Sequence, residues 1–191
     1  MWRRIAVTGL ALIGGVMATG HAAARTGSSC DQTARSAQFL LDDPNTALRA
    51  SVGYDDSGSP SPNDQIGFVA AGDGGGASDC GANPGERWHS LTVSLGDQPD
   101  RLREDARHPS LKDVLGPGYG PIPTFVKVTA HLGSGNDEAF GHKGHDFVFG
   151  EGGADKIDVA GGRADTVDCG PGRDTVTADS ADDLTHCEKV E

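Results

Sequence analysis

The sequence predicts an all-β fold in which a C-terminal parallel β-roll follows an irregular, β-rich N-terminal region. A short repeat of glycine, aspartate and an aliphatic residue runs through residues 133–177, and short repeats of this kind form stacked coils. The chain contains 29 glycines, while aromatic residues make up only 5% of it, which indicates many turns and a thin core. Several segments before the repeat alternate between apolar and polar residues, as half-buried strands do.

Five repeat units each close on an aspartate, in steps of nine, nine, ten and nine residues. The aspartates are Asp137, Asp146, Asp155, Asp165 and Asp174. The apolar residues that stand two positions after them are Ala139, Val148, Ile157, Val167 and Val176. Because side chains alternate along a strand, these residues are expected to point inward and form a narrow core. A disordered linker rich in glycine and aspartate has no reason to keep an aliphatic residue in phase.

The repeat supplies the oxygen atoms that calcium requires. Ca²⁺ is a hard cation that takes about six to eight oxygen ligands. Aspartate provides a carboxylate, and glycine lets the backbone adopt a positive φ so that several carbonyl oxygens converge. The predicted metal-site residues are Gly133, Gly135, Asp137, Gly144, Asp146, Gly153, Asp155, Asp165, Gly170, Gly172 and Asp174.

One full coil of such a roll takes two units, about eighteen residues, so the aspartates are expected on two edges. Asp137, Asp155 and Asp174 fall on one edge, and Asp146 and Asp165 fall on the other. Stacked carboxylates repel one another in the absence of a cation, and the core between them is thin. The free energy of metal binding is therefore expected to become free energy of folding.

These units resemble the hemolysin-type (RTX) calcium-binding repeats, whose pattern is Gly-Gly-x-Gly-x-Asp-x-aliphatic-x. The resemblance covers about residues 133–177, and the run at 165–176 with its acidic tail is similar to the C-terminal end of small secreted proteins with such repeats. It implies a parallel β-roll, Ca²⁺ as the ligand, and secretion. Four positions depart from the pattern: His142 and Glu151 replace the second glycine of their units, Arg163 replaces the last glycine of the fourth unit, and Val159 is an extra residue there.

Residues 1–24 are predicted to be a signal peptide. Arg3 and Arg4 precede an apolar run that is too short to span a membrane, and small residues at 22–24 suit signal peptidase. The residues around the arginine pair match the twin-arginine pattern poorly, so a Sec-type signal is favoured. We therefore expect a secreted protein without a membrane span. The net charge of −12 argues against nucleic acid and anionic lipid as partners.

The remaining chain is predicted to divide into three parts: a β-rich N-terminal region with loops and short helices at 25–124, the β-roll at 125–177, and a C-terminal cap at 178–191. Strands are predicted at 48–54, 66–70, 89–95 and 125–132. Short helices are predicted at 31–43 and 110–115, and a helical turn within 99–107. Trp88 and Phe125 are expected in the core.

Four cysteines in an exported chain indicate two disulfides, for which the sequence alone allows three pairings. The local pairing, Cys30 with Cys80 and Cys169 with Cys187, is favoured. The second bridge would close a loop across the end of the repeats.

Other functions receive less support. His142 and His145, with His131 nearby, could hold zinc, but solvated turn residues are the simpler interpretation. The chain has no Gly-x-Ser-x-Gly or His-Glu-x-x-His motif, so an enzyme is not expected. The prediction is a secreted protein whose repeats fold on binding Ca²⁺. The alternatives are a calcium-stiffened extracellular adhesion or interaction module, and a secreted hydrolase with an unrecognised site before residue 130.

Overall fold

The structure is a computed structural model that describes residues 25–42, 46–55, 65–71, 77–82, 86–104, 114–115 and 118–191. The predicted signal peptide lies outside the described residues, as does most of the predicted helix at 110–115. All eighteen elements with defined bounds in the described part are strands, which confirms the predicted all-β class. The strands are β1 (Arg25–Asp31), β2 (Ser36–Asp42), β3 (Arg49–Asp55), β4 (Gln65–Ala71), β5 (Ala77–Gly81), β6 (Ser90–Leu95), β7 (Arg101–Glu104), β8 (Tyr119–Gly120), β9 (Lys127–His131), β10 (Ser134–Gly135), β11 (Glu138–Phe140), β12 (Asp146–Phe149), β13 (Gly152–Gly153), β14 (Lys156–Asp158), β15 (Thr166–Asp168), β16 (Thr175–Thr177), β17 (Asp183–Thr185) and β18 (Lys189–Val190).

Two long sheets run through the described residues. The first has the order β1-β2-β6-β9-β12-β15-β17, and every pair after β2 is parallel. The second contains the parallel series β3-β7-β11-β14-β16-β18, with β4 and β5 added antiparallel beyond β3. Successive strands of the two series alternate along the chain, so the backbone winds through six coils from β2 to β18. The predicted parallel β-roll is therefore present.

The registers stack the inward side chains of successive coils into two columns. The first column consists of Phe39, Val93, Ala130, Val148, Val167 and Leu184. The second consists of Ala50, Leu102, Ala139, Ile157 and Val176, and ends at Val190, which is 57% exposed. All five aliphatic residues predicted from the repeats are buried in one continuous core.

Parallel pairing is continuous across residue 125, where the sequence suggested the start of the roll. Strand β9 pairs with β6 on one side and with β12 on the other. The first two coils are interrupted by long insertions, at 56–89 and 105–126, so no constant period marks them in the sequence. The segment predicted as a cap, 178–191, continues both sheets through β17 and β18.

The predicted helix at 31–43 is wrong. Residues 36–42 form β2, in which Ala37, Phe39 and Leu41 are buried while alternate residues are more exposed. This period of two is the pattern of a half-buried strand and not of a helix. Oδ1 of Asp31 accepts the backbone N–H groups of Thr33 and Ala34 in the turn between β1 and β2.

The helical turn predicted within 99–107 is wrong where the structure describes it. Residues 101–104 form β7, whose Leu102 pairs with Ala50 and Ala139 in the core. The four predicted strands are confirmed as β3, β4, β6 and β9. Trp88 is buried as predicted, whereas Phe125 is 47% exposed, so its predicted place in the core is wrong.

Both predicted disulfides are present. Cys30–Cys80 joins β1 to β5 at the N-terminal end of the roll, with the two Cα atoms 5.7 Å apart. Cys169–Cys187 links two successive coils near the C-terminal end, with the Cα atoms 5.1 Å apart. The described residues contain no free cysteine.

Candidate metal centre

The first edge of the roll carries a ladder of carboxylates. The backbone N–H of Asp137 donates to Oδ1 of Asp155 at 2.8 Å, and the backbone N–H of Asp155 donates to Oδ1 of Asp174 at 2.8 Å. All three side chains are buried. Each carboxylate thus spans two coils, one above the other, as the two-unit period predicts.

This ladder extends beyond the repeats at both ends. The backbone N–H of Asp100 donates to Oδ1 of Asp137 at 2.7 Å, and the backbone N–H of Asp174 donates to Oε2 of Glu188 at 2.9 Å. Neither Asp100 nor Glu188 is among the predicted metal-site residues. The sequence does contain a signal for both: Leu102 stands two residues after Asp100, and Val190 stands two residues after Glu188, as the aliphatic residues do in the repeats.

The second edge carries a shorter ladder. The backbone N–H of Asp146 donates to Oδ1 of Asp165 at 2.8 Å, and the backbone N–H of Asp165 donates to Oδ1 of Asp182 at 2.9 Å. The structure therefore places Asp165 in the same position as the other repeat aspartates, although its unit is one residue longer. Asp182 was also missed, and it too has an aliphatic residue, Leu184, two positions on.

Four repeat aspartates have one buried oxygen without a hydrogen-bond partner among the described residues. These oxygens are Oδ2 of Asp137, Asp155, Asp165 and Asp174. Leaving a buried acceptor unsatisfied costs about 1–3 kcal/mol, and more for a charged group. A row of such atoms in a native protein calls for a specific cause, and a bound cation is one.

Backbone carbonyl oxygens lie beside these carboxylates. Around the position that a Cβ on Gly162 would take, the carbonyl oxygens of His142 and Gly144 lie at 3.0 and 3.2 Å, and Oδ2 of Asp165 lies at 3.3 Å. On the first edge, a Cβ on Gly153 would overlap the carbonyl oxygen of Gly135. The glycines thus let successive coils approach closely enough to bring carbonyl and carboxylate oxygens together, and this donor set fits Ca²⁺.

The other predicted glycines have related placements. Gly133 and Gly170 have φ values of 88° and 80°, which they adopt at turns between the two sheets. Gly172 lies where a Cβ would overlap the carbonyl oxygen of Gly153. Gly144 lies beside the ring of His142. The two ladders therefore bring all the predicted residues to the edges of the roll.

The three histidines do not converge. His142 Nδ1 contacts Asp146, His145 Nδ1 contacts the carbonyl oxygen of Ala164, and His131 Nδ1 contacts Glu151. Within the part of the chain that the structure describes, no group of three or more His, Cys, Asp or Glu side chains could hold a metal ion. Protein ligands for a metal would therefore have to include backbone carbonyls. The interpretation of His142 as a solvated turn residue is wrong, because it is only 5% exposed.

Comparison with known families agrees with this geometry. Residues 131–163 and 159–185 match the model of the RTX calcium-binding nonapeptide repeat, which spans four copies. Residues 131–185, which we call the RTX array, match this repeat family. No curated protein and no solved structure shows a significant match to the chain. In the described residues, no helix has the length and apolar character needed to cross a membrane.

The RTX array holds its carboxylates in an unfavourable environment when no cation is bound. Burial raises the pKa of Asp137 to about 7; the hydrogen bond from Asp100 opposes this rise, and the carboxylates of Asp155 and Asp100 add to it. Burial likewise raises the pKa values of Asp155 and Asp165 to about 6, and raises the pKa of Asp174. Desolvation therefore disfavours the ionised form that a cation would stabilise.

The stability of the calcium-free protein is expected to depend on pH. Because the folded pKa of Asp137 and its neighbours exceeds the unfolded value, the folded calcium-free protein binds more protons than the unfolded chain. Its stability should then fall as pH rises from about 5.5 to about 8. Far-UV circular dichroism in calcium-stripped buffer should show more β structure at the lower pH.

Asp137→Asn provides the control for this prediction, since it removes the group whose pKa rises most. Its β signal should depend less on pH than that of the parent protein. A β signal that stays constant or grows between about pH 5.5 and about 8 in the parent protein would contradict the prediction.

Proposed function

We propose that this is an exported calcium-binding protein whose RTX array folds when calcium binds outside the cell. The observation that supports this most directly is the row of four buried carboxylate oxygens that have no hydrogen-bond partner among the described residues; backbone carbonyl oxygens lie near two of them, those of Asp155 and Asp165. A cation between coils would satisfy these oxygens and reduce the repulsion along each edge. Calcium binding would then contribute directly to folding.

The distribution of core volume supports a calcium requirement in the array. Most of the largest fully buried side chains, among them Trp88, Tyr54, Phe39 and Phe68, belong to the N-terminal coils and their insertions. Inside the array, each strand contributes one small or medium aliphatic residue to the two columns. Apolar burial contributes about 25 cal/mol per Å², so the array gains far less from its core than the N-terminal coils do.

The two disulfides support an oxidising compartment, and the predicted signal peptide supports export. Extracellular calcium modules bind with a Kd of about 10⁻⁴–10⁻³ M, so an array tuned to that range would stay unfolded before export. We propose a non-enzymatic role, because the carboxylates are committed to hydrogen bonds between coils. A panel of ester, peptide and glycoside substrates tests this, and turnover of any of them would contradict it.

A calcium titration followed by two optical signals tests the folding step. Far-UV circular dichroism should gain β signal as calcium is added, and magnesium at the same concentration should give little, because it demands octahedral geometry and keeps its waters. Trp88, the only tryptophan after the predicted signal peptide, should change much less in fluorescence, since it lies in the N-terminal core. Equal β signal with calcium and with chelator would refute the proposal.

A further inference from the structure

We call each repeat aspartate, together with the coils that its carboxylate joins, a rung. The rung at Asp146 differs from those at Asp137, Asp155, Asp165 and Asp174. Its Oδ2 accepts the backbone N–H of His142 at 2.8 Å, and its Oδ1 lies 2.6 Å from Nδ1 of the same histidine. Both carboxylate oxygens therefore have partners supplied by the chain. The other repeat aspartates each keep one buried oxygen without a partner in the described residues.

The ring of His142 lies between two coils, where it bridges oxygen atoms of both. Its Nε2 is 3.0 Å from the carbonyl oxygen of Val126, and Nδ1 contacts the carboxylate of Asp146. The side chain is only 1% exposed. A carboxylate on one coil and a carbonyl on the coil before it are the same types of oxygen that border the other rungs.

The space for this ring comes from a glycine of the repeat pattern. A Cβ on Gly144 would overlap Nε2 of His142 and would lie 2.6 Å from its Cε1. In the fourth unit, where Arg163 holds the position of Gly144, the carbonyl oxygens of His142 and Gly144 and Oδ2 of Asp165 lie around the Cβ position of the neighbouring Gly162. An imidazole thus lies beside a pattern position in one unit, and oxygen atoms lie beside the neighbouring position in another.

The next unit shows that this inward placement is specific to His142. Glu151 holds the same pattern position, but its φ is 64° and its side chain points outward, where it contacts His131 at 3.0 Å. Asp155, the aspartate of that unit, keeps its unpartnered Oδ2. Replacement of the second pattern glycine is therefore not sufficient to give both carboxylate oxygens of the repeat aspartate a partner.

We propose that the imidazole of His142 takes the place of a metal ion on the Asp146 rung, so that this rung is closed without calcium. The inference rests on the proposed calcium-binding function and refines it, because it assigns calcium to the rungs of Asp137, Asp155, Asp165 and Asp174. Since β9 precedes β12 in the sheet, the closed rung holds the array to the N-terminal coils on this edge at any calcium concentration.

Native mass spectrometry of the exported chain tests the proposal by counting bound calcium. His142→Gly, which restores the repeat pattern, should bind one more calcium ion per chain than the parent protein. Glu151→Gly restores the pattern at the matched position of the next unit and should leave the count unchanged. An unchanged count in a His142→Gly variant that has the parent's circular dichroism at saturating calcium would overturn the proposal.

A second pair of variants does not depend on the folding of His142→Gly. Asp146→Asn should keep the calcium count of the parent protein, whereas Asp155→Asn should lower it. A lower count in Asp146→Asn would mean that Asp146 already binds calcium, and the inference would fail while the proposed function stood. If the parent protein bound no calcium at all, the proposed function would fail, and this inference with it.

Discussion

Replacing Asp155 with asparagine is expected to stabilise the calcium-free protein and to weaken its calcium-loaded form. Asparagine has nearly the same shape, and its Oδ1 can still accept the backbone N–H of Asp137. The substitution removes a buried negative charge that faces Asp174 and whose pKa is raised to about 6 by burial. In the absence of calcium that charge is unfavourable, so its loss should raise the melting temperature.

With calcium, the same substitution removes a proposed ligand. Loss of an outer-shell partner alone typically costs about 10- to 100-fold in metal affinity, so a loss of at least this size is expected here. Thermal unfolding in stripped buffer and at saturating calcium would show opposite signs of change. Asp158→Asn is the matched control, because Asp158 lies in the strand that follows Asp155, is half-buried and accepts a 3.3 Å hydrogen bond from the backbone N–H of Ala160.

Destabilisation by Asp155→Asn in both conditions would mean that the carboxylate acts mainly as a structural hydrogen-bond acceptor. Asp155→Ala separates the two roles further, because it also leaves the backbone N–H of Asp137 without its acceptor. That variant should lose about 1–3 kcal/mol even without calcium. The difference between the alanine and asparagine variants therefore isolates the hydrogen bond between the coils.

Gly153→Ala is expected to disrupt the array, whereas Gly152→Ala should be nearly neutral. A Cβ at position 153 would overlap the carbonyl oxygen of Gly135, which is a backbone atom and cannot rotate away. A Cβ at position 152 would meet no atom within 4 Å. The two substitutions add the same methyl group to adjacent residues, and position 153 differs from 152 in the closeness of the preceding coil and in its φ of 154°, which disfavours any residue other than glycine.

The expected loss for Gly153→Ala is about 3 kcal/mol, since overpacking against fixed atoms usually costs 1–3 kcal/mol or more. It should also weaken calcium binding, because the Gly135 carbonyl is one of the oxygens that border the site. Urea unfolding at saturating calcium measures the stability, and Gly152→Ala serves as the reference. Equal midpoints for both variants would show that the coils can separate at this point without cost.

The array was predictable because each of its structural demands appears as a residue type at a constant offset. Close approach of successive coils requires glycine, the hydrogen bond between coils requires aspartate, and the core requires an aliphatic residue such as Ile157. The ends of the ladders carry the same offset, in Asp100 with Leu102 and in Glu188 with Val190. Their spacing to the repeats is irregular, so periodicity alone did not find them.

The first coil was not predictable from the repeat because other residues take the place of the turn aspartate. The backbone N–H of Leu48 donates to Oδ1 of Asp100 at 2.7 Å. Leu48 has no carboxylate, so the ladder ends at this residue. The role of His142 was also beyond the sequence. His142 and Glu151 share one pattern position, and only the local backbone, with φ at 64° for Glu151, directs one side chain inward and the other outward.

The antiparallel strands at the N-terminal end set a limit on the growth of the coil. Stacked parallel strands present open backbone groups at both ends, and such edges can recruit further copies into a fibre. Here β1 pairs antiparallel with β2, the hairpin of β4 and β5 extends the other sheet beyond β3, and Cys30–Cys80 joins the two outermost strands, so neither parallel series ends at an open edge there. At the other end, β18 is only two residues long and carries the charge of Lys189. The chain can thus stack six coils while the covering strands at its N-terminal end limit the addition of further coils there.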